Sequence, residues 1–351
     1  PQGQIALKFL ADSLEYLEDK KGLLCLIIKS SSLLYNSTSI EFKKLLFLNY
    51  NIIQLLDFTA LARNKVLWDN GRDVDTTAIF LKNEKPDFSK NILHLTFRRT
   101  KATKERIAFE IDDYDLHFVN RHTAINNQYI WKNNLLGGGR IKNTIEKLIL
   151  LPHLQNFLIR HNICCTEGVE GAKCLPNEAF TQNGIDDKYL TNEYNATYLN
   201  KKDKNVFLVP NILIKENIEL PYCYNENPKV KFSNEIVGIY SKNKEILINI
   251  IDYLKKFNTI LKYFNAATSG KMLVYKNTTC KKEDILALPF DLDIDLFSFL
   301  SIFDQNIISD VNTYMQDFLR HGEKSTAVEP INKDFDDVLK NYGNEFSRAL
   351  N

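Results

Sequence analysis

Few side chains in this sequence are placed to do chemistry, and they fall in clusters. His161, Cys164, Cys165 and Cys174 lie close enough together to suggest a zinc knuckle, since structural zinc takes four His or Cys ligands in a tetrahedron. Adjacent Cys164 and Cys165 spoil that spacing, because two neighbouring thiolates rarely both face one metal. Free thiols are therefore expected and no metal is assigned. Gly137-Gly138-Gly139-Arg140 precedes a helical pattern, so its amides and guanidinium could meet a phosphate at a helix N-terminus; a glycine triplet is equally an ordinary turn. Arg98, Arg99, Lys101, Lys104 and Arg106 crowd one segment, and Lys201, Lys202 and Lys204 another, whereas no Lys or Arg lies between Lys282 and Arg320. Such segregation can build a basic face on a chain whose net charge is only +1. Two solvated surface turns are the alternative.

Most enzyme signatures are missing. The sequence has no Walker A loop, no G-x-S-x-G, no H-E-x-x-H and no G-x-G-x-x-G. At 351 residues, 44% of them hydrophobic and 25% charged, the chain can bury the cores of two soluble domains. No apolar run approaches the ~20 residues that span a bilayer, and no signal-peptide pattern opens the chain. No membrane partner and a cytoplasmic location are expected, with the six cysteines reduced. Residue 1 is Pro and the only Met residues are Met272 and Met315, so an excised or processed fragment is expected.

The elements that must position these residues follow from periodicity. Ile5, Phe9, Leu10, Leu14 and Leu17 have helical spacing. Leu23–Ile28 is an unbroken apolar run, the pattern of a strand covered on both faces. A helix capped by Ser30–Ser32, with Phe42, Leu45 and Leu46 inward, leads to further strands at Ile52–Phe58 and Thr77–Leu81. Alternation of covered strands and helices indicates an α/β sheet, and three strands in so short a stretch leave an edge that something must cover. After a linker at 82–90 the texture changes to half-exposed strands at Ile92–Phe97 and Ile107–Ile111, and a helix at Ile141–Leu151. Strands near Val206–Val209 and Ile236–Tyr240, a long helix from Lys244 to about Phe264, and an amphipathic helix at Asp304–Leu319 complete an α+β pattern. Beyond that helix the chain turns polar.

The order of these segments resembles the back half of N6-adenine DNA methyltransferases of restriction–modification systems (gamma class, TaqI-like or type IIG-like). Lys21-Gly22, the strand Leu23–Ile28 and Ser30–Leu34 look like that family's K-G-G turn, strand and P-x-S-x-L step. Ile52-Ile53-Gln54-Leu55-Leu56-Asp57-Phe58 is similar to its I-x-x-I-I-D-F strand. Leu67-Trp68 and Thr77–Lys82 are similar to the hairpin that follows. Ile130–Gly138 resembles the W-K-x-L-L-x-G start of the specificity domain, Asn211–Glu216 its P-x-L-L-I-K-E strand, and Lys282–Pro289 its closing D-I-L-x-L-P step. Six collinear similarities cover most of the chain.

The resemblance implies an α/β fold: a partial Rossmann-like methyltransferase sheet (1–90), an α+β target-recognition domain (91–300) and a helical tail (301–351). It implies double-stranded DNA as a partner, together with a missing N-terminal catalytic half or a separate catalytic chain. The family's glycine-rich S-adenosylmethionine turn, and its Asn-Pro-Pro followed by Tyr or Phe, are absent. No catalytic residue carries over, and S-adenosylmethionine is expected only in the intact enzyme. Trp68 stands where the family places an aromatic against the flipped base, which needs a π-face to replace lost stacking; hairpin core is the other reading. For base contact the candidates are Arg98, Arg99, Lys132, Asn133, Arg140 and Lys142, with Lys201 and Lys202 on phosphates. A stand-alone DNA specificity subunit, or part of a fused restriction endonuclease–methyltransferase, are the rival readings, although no P-D…E-x-K carboxylate pair stands out.

Overall fold

The computed structural model describes residues 4–17, 21–36, 39–61, 74–97, 111, 115–170, 172, 174–190, 206–274 and 278–321. Helical spacing of apolar residues yields Ile5–Leu14 (α1), with Leu7, Leu10 and Leu14 inward. Five strands follow: Leu23–Lys29 (β1), Asn51–Asp57 (β2), Thr76–Lys82 (β3), Ile92–Thr96 (β4) and Leu116–Val119 (β5). They form one mixed sheet in the order β1-β3-β2-β4-β5. β3 is antiparallel to both β1 and β2, so those two strands point the same way, and β4 runs parallel to β2. β4 and β5, which lie after the expected change of texture near residue 90, thus belong to the same sheet.

One face of this sheet is covered. A π-helical turn at Ser31–Tyr35, the helix Ile40–Asn49 (α2), and the helices Arg121–Asn126 (α3) and Ile130–Leu136 (α4) join α1 over a core that includes Ile28, Leu55, Ile79, Leu81, Ile92 and Trp131. The expected inward set of α2 is shifted: Leu46 is buried, but Leu45 is exposed and Lys43 and Phe47 turn in. Lys43 reaches the carbonyl of Leu34 at 3.1 Å, and burial pulls its ammonium down to about 8.

Among the described residues the other face is largely bare. Alternation along β1 sends Leu24, Leu26 and Ile28 to the helices and Leu23, Cys25 and Ile27 the other way. Leu23 is 56% exposed, Ile27 58%, and Phe118 at the far edge 72%. A small cluster of Leu61, Leu95 and Phe97, with Leu56 and Phe58, shields only the middle. The expectation that β1 is covered on both faces is therefore corrected: the sequence pattern is that of a two-sided strand, and the described residues cover one side.

Gly137 and Gly138 have φ of 146° and 82°, conformations that glycine adopts without a Cβ penalty. Their amides cap α4 on the carbonyl of Asn133, at 3.1 and 2.8 Å, and the turn launches Gly139–Ile149 (α5). Beyond lies a second unit. Cys164–Glu167 (β6), Asn211–Lys215 (β9), Tyr222–Asn225 (β10) and Ile236–Tyr240 (β11) form an antiparallel sheet in the order β10-β9-β11-β6. Phe180–Thr181 (β7) and Gly184–Ile185 (β8) form a small hairpin. Leu154–Arg160 (α6), Lys244–Lys256 (α7), Asn258–Thr268 (α8), Lys282–Leu286 (α9), Leu296–Phe299 (α10) and Ile302–His321 (α11) supply its helices. The largest core of the molecule lies between these helices, α5 and the face of Ile212, Ile214, Val237 and Ile239.

Two local expectations change. Val206 and Phe207 form a 3₁₀ turn, and the strand begins after it at Asn211. The single helix expected from Lys244 to about Phe264 is two, broken at Phe257, whose ring is buried between them.

Candidate functional site

β1 and β2 end at the same edge of the sheet, on either side of the start of β3, and in α/β sheets the carboxyl ends of parallel strands are where ligands gather. There the chain has assembled a buried polar cluster. Asp57, the last residue of β2, is fully buried. It accepts hydrogen bonds from the Tyr35 hydroxyl, from the Thr59 amide at 3.0 Å and hydroxyl at 2.5 Å, and from Ser30 at 3.4 Å. Nε2 of buried His94 lies 3.5 Å from the same carboxylate. Asn134 on α4 meets Nδ1 of that ring at 3.0 Å. Ser30 and Thr77 share a 2.6 Å bond, and the Ser31 amide donates to Asp75 at 2.5 Å.

Electrostatics follow from burial and partners. Burial opposes ionisation of Asp57, but His94, Thr59 and Tyr35 outweigh it and hold the carboxyl below its ordinary range. The Tyr35 phenol is pushed well up, by burial first and by the Asp57 charge second. Burial lowers His117 to about 3; its Nε2 bonds Thr96 at 3.2 Å. The cluster is closed to solvent, so it meets no substrate directly. It fixes the loops that leave β1 and β2, and ties both to α4.

α4 packs against both units. Its Trp131 stacks on Phe47 (centroids 5.4 Å, 25°) and meets His94 edge-on at 5.2 Å. Its Lys132 donates to the carbonyl of Met272, with burial lowering the ammonium to about 7. Met272 belongs to the segment after α8, where Gly270 is pressed on Tyr35: a Cβ there would stand 2.0 Å from the Tyr35 carbonyl oxygen. The second unit thus touches the polar cluster of the first.

Of the residues expected to read bases, Lys132, Asn133, Arg140 and Lys142 are among the described residues. Lys132 and Asn133 are 2% and 0% exposed, so neither side chain faces a nucleic acid in this conformation. Polar residue types suggested a surface helix, but α4 is packed against both units and Ile130 to Asn134 are all buried. Among the described residues, neither amide atom of Asn133 has a hydrogen-bond partner. Arg140 lies against Asp310 at 3.4 Å, both side chains mostly buried. Lys142 pairs with Glu146 at 3.7 Å and remains part-exposed. Lys147, not singled out from the sequence, donates to buried Asp304 at 2.7 Å, which also takes bonds from Thr144 at 2.9 Å and Ser301 at 2.6 Å. Those partners outweigh burial and keep the Asp304 carboxyl low. The cation-free stretch after Lys282 therefore supplies α11 with acids that neutralise α5, and part of the charge segregation is spent inside the protein. Trp68, Arg98, Arg99, Lys201 and Lys202 lie outside the described residues.

Asp57, Tyr35 and His94 were missed because each reads as an ordinary member of an apolar segment. The available signal was one acid closing a buried strand, since a buried carboxylate demands donors. Among the described residues no three His, Cys, Asp or Glu side chains gather as a metal site. Nor does a glycine-rich turn follow a parallel strand there; Gly137–Gly139 joins two helices. No described helix is long and apolar enough to cross a membrane.

No family model matches the sequence, and no curated protein does. Among solved structures, the chain is similar to the type IIG restriction endonuclease BpuSI (13% identity, TM-score 0.31), covering 87% of this chain and 44% of that one. It is similar to the type IIL restriction-modification enzyme MmeI, solved in complex with DNA (9% identity, TM-score 0.36), covering 92% and 44%. A modification subunit of a type I restriction enzyme from Vibrio vulnificus matches over 27% of this chain and 20% of its own (15% identity, TM-score 0.23). All three likenesses are weak, and the chain spans less than half the length of each.

Proposed function

We propose that this chain is the DNA-recognition part of a site-specific DNA adenine-N6 methyltransferase of a restriction–modification system. In this reading β1–β3 and their helices are the end of a Rossmann-like methyltransferase sheet. A catalytic half, in the same polypeptide or in a separate chain, holds S-adenosylmethionine and transfers the methyl group. The part spanning residues 91–300 reads the duplex.

One observation carries the reading. The sheet formed by the methyltransferase-like segments leaves an apolar face bare, with Leu23, Ile27 and Phe118 exposed, and β1 has no outer strand among the described residues. An apolar area of this kind marks a surface meant for contact. The collinear similarities supply the kind of contact expected: they land in order on β1, β2, β3, α4, β9 and α9.

Duplex binding tests the reading. Fluorescence anisotropy with a labelled ~25 bp duplex is expected to show binding whose log K falls linearly with log salt, at a slope of about −0.9 per neutralised phosphate. Charge reversal across Arg98, Arg99, Lys201 and Lys202 is expected to flatten that slope. A chain that ignores duplexes even at low salt would remove DNA recognition from its function.

A further inference from the structure

The strands of the second sheet alternate in direction, so each end of that sheet collects turns from all of them. One end holds the starts of β6 and β9 and the finishes of β10 and β11, in the register Cys164↔Tyr240, Tyr240↔Asn211 and Asn225↔Asn211. Cations flank it: exposed Arg160 and His161 before β6, exposed Lys242 and Lys244 after β11, and exposed Lys229 after β10. Lys231 turns back to the same end, its ammonium 4.6 Å from the ring of Phe207, just before β9. Among the described residues, Lys244 alone of this set is paired with a carboxylate, that of Glu226 at 2.7 Å.

The opposite end is acidic. Glu167 closes β6, Glu216 and Glu219 follow β9, and Glu235 precedes β11. Two cations there are engaged, Lys215 with the Leu175 carbonyl at 2.7 Å and Lys282 with Glu167 at 3.8 Å. Burial first, and the Glu167 charge second, push the Glu216 carboxyl up to about 7. Charge is thus sorted along the strands, and a field of that shape turns a polyanion toward the cationic end. The turns carrying these cations are held in place. The backbone amide of Asn227 donates to Asn225 Oδ1 at 3.1 Å, and that of Lys229 to Asn227 Oδ1 at 3.0 Å. The backbone amide of Asn243 donates to Ser241 Oγ at 3.1 Å, and Asn243 Oδ1 accepts from the Glu245 amide at 3.0 Å. Fixed turns lower the ordering cost of contact.

We propose that this end of the second sheet is the surface that lies along the phosphate backbone of a DNA duplex, with Arg160, Lys229 and Lys242 as its principal contacts. The inference rests on the DNA-recognition reading and gives it a contact surface. Dimensions agree. Adjacent strands at ~4.8 Å set these cations across ~15 Å, a width that takes in about four phosphates of one strand, at about 3.4 Å of helix axis each. Contacts of this kind fix orientation and register, and leave the bases to be read by other groups.

Salt titration of duplex affinity in the full chain tests it. Arg160→Ala, Lys229→Ala and Lys242→Ala are combined in one variant; all three side chains are exposed, so melting should be unchanged. For a ~25 bp duplex, the slope of log K against log salt is expected to become shallower by about 2–3, at about 0.9 per lost phosphate contact. Removing equal charge elsewhere, with Lys255→Ala, Lys271→Ala and Lys281→Ala, should leave the slope as it is. A wild type that binds with a slope shared by the first variant, or an equal change in both variants, would overturn this surface while the DNA-recognition reading stands. A wild type that ignores the duplex would remove that reading, and this surface with it. Tighter binding of phosphatidylserine vesicles or of poly(U), lost in the first variant, would assign the surface to a membrane or to RNA and overturn the proposal.

Discussion

Asp57→Ala is expected to lower the stability of the first unit by ~3–5 kcal/mol, the cost of removing one member of a buried hydrogen-bonded charge network. The loss is large because Tyr35, Thr59 and Ser30 all donate to this carboxylate, and none of them gains water in exchange. Asp57→Asn keeps the volume and some of the acceptors, so about 1–3 kcal/mol is expected. The two variants separate packing from charge through pH. A carboxyl whose pKa is depressed in the fold stabilises fully above its unfolded value near ~3.9, and that contribution disappears as pH falls through the folded value. The gap between wild type and Asp57→Asn, read from urea midpoints, should therefore be constant near neutrality and shrink below about pH 4. A gap unchanged down to the acid limit would mean that the charge of Asp57 contributes nothing.

Trp131→Ala is the second large effect, ~3–5 kcal/mol for emptying a buried aromatic site. Trp131 is 1% exposed and touches Phe47 and His94 on the sheet side, while its helix neighbour Lys132 holds the segment after α8. Deleting the indole should therefore loosen the joint between the two units as well as the first core. Thermal unfolding is expected to split into two transitions, the earlier one belonging to the sheet of β1–β5. Trp131→Phe should retain a single transition at a modestly lower temperature. An Ala variant that melts with the wild type would show that α4 does not bear the joint.

Much of this fold is legible in the residues. Leu23–Lys29, Asn51–Asp57, Thr76–Lys82 and Ile236–Tyr240 stand out because their apolar runs are bounded by polar or turn residues, and α1, α5 and α11 because their stripes keep helical spacing. What escapes is whatever depends on distant partners. Lys132, Asn133 and Asn134 look like a solvated helix face until Met272 and His94 arrive from far along the chain. Arg140 looks available for phosphate until Asp310, 170 positions later, is folded against it. The break at Phe257 is invisible because both flanking segments share one apolar periodicity. The bare face of the sheet is the converse case: Leu23–Ile28 reads as covered on both sides, and the described residues fulfil half of that pattern.

These observations shift where duplex contact is sought. α4 and the start of α5 are occupied with internal structure, which leaves the basic segments around Arg98–Arg106 and Lys201–Lys204, together with Trp68, as the places to probe. In the proposed reading, sequence is read there while the polar cluster at Asp57 keeps the loops leaving β1 and β2 in register with the recognition unit.

Selection from a pool of duplexes with a randomised core, followed by sequencing of those retained by the protein, tests the central claim most directly. A recognition unit should enrich one short motif, each mismatch costing about 1–3 kcal/mol. Retention of duplexes with no enriched motif, or of none, would contradict a role in reading DNA sequence.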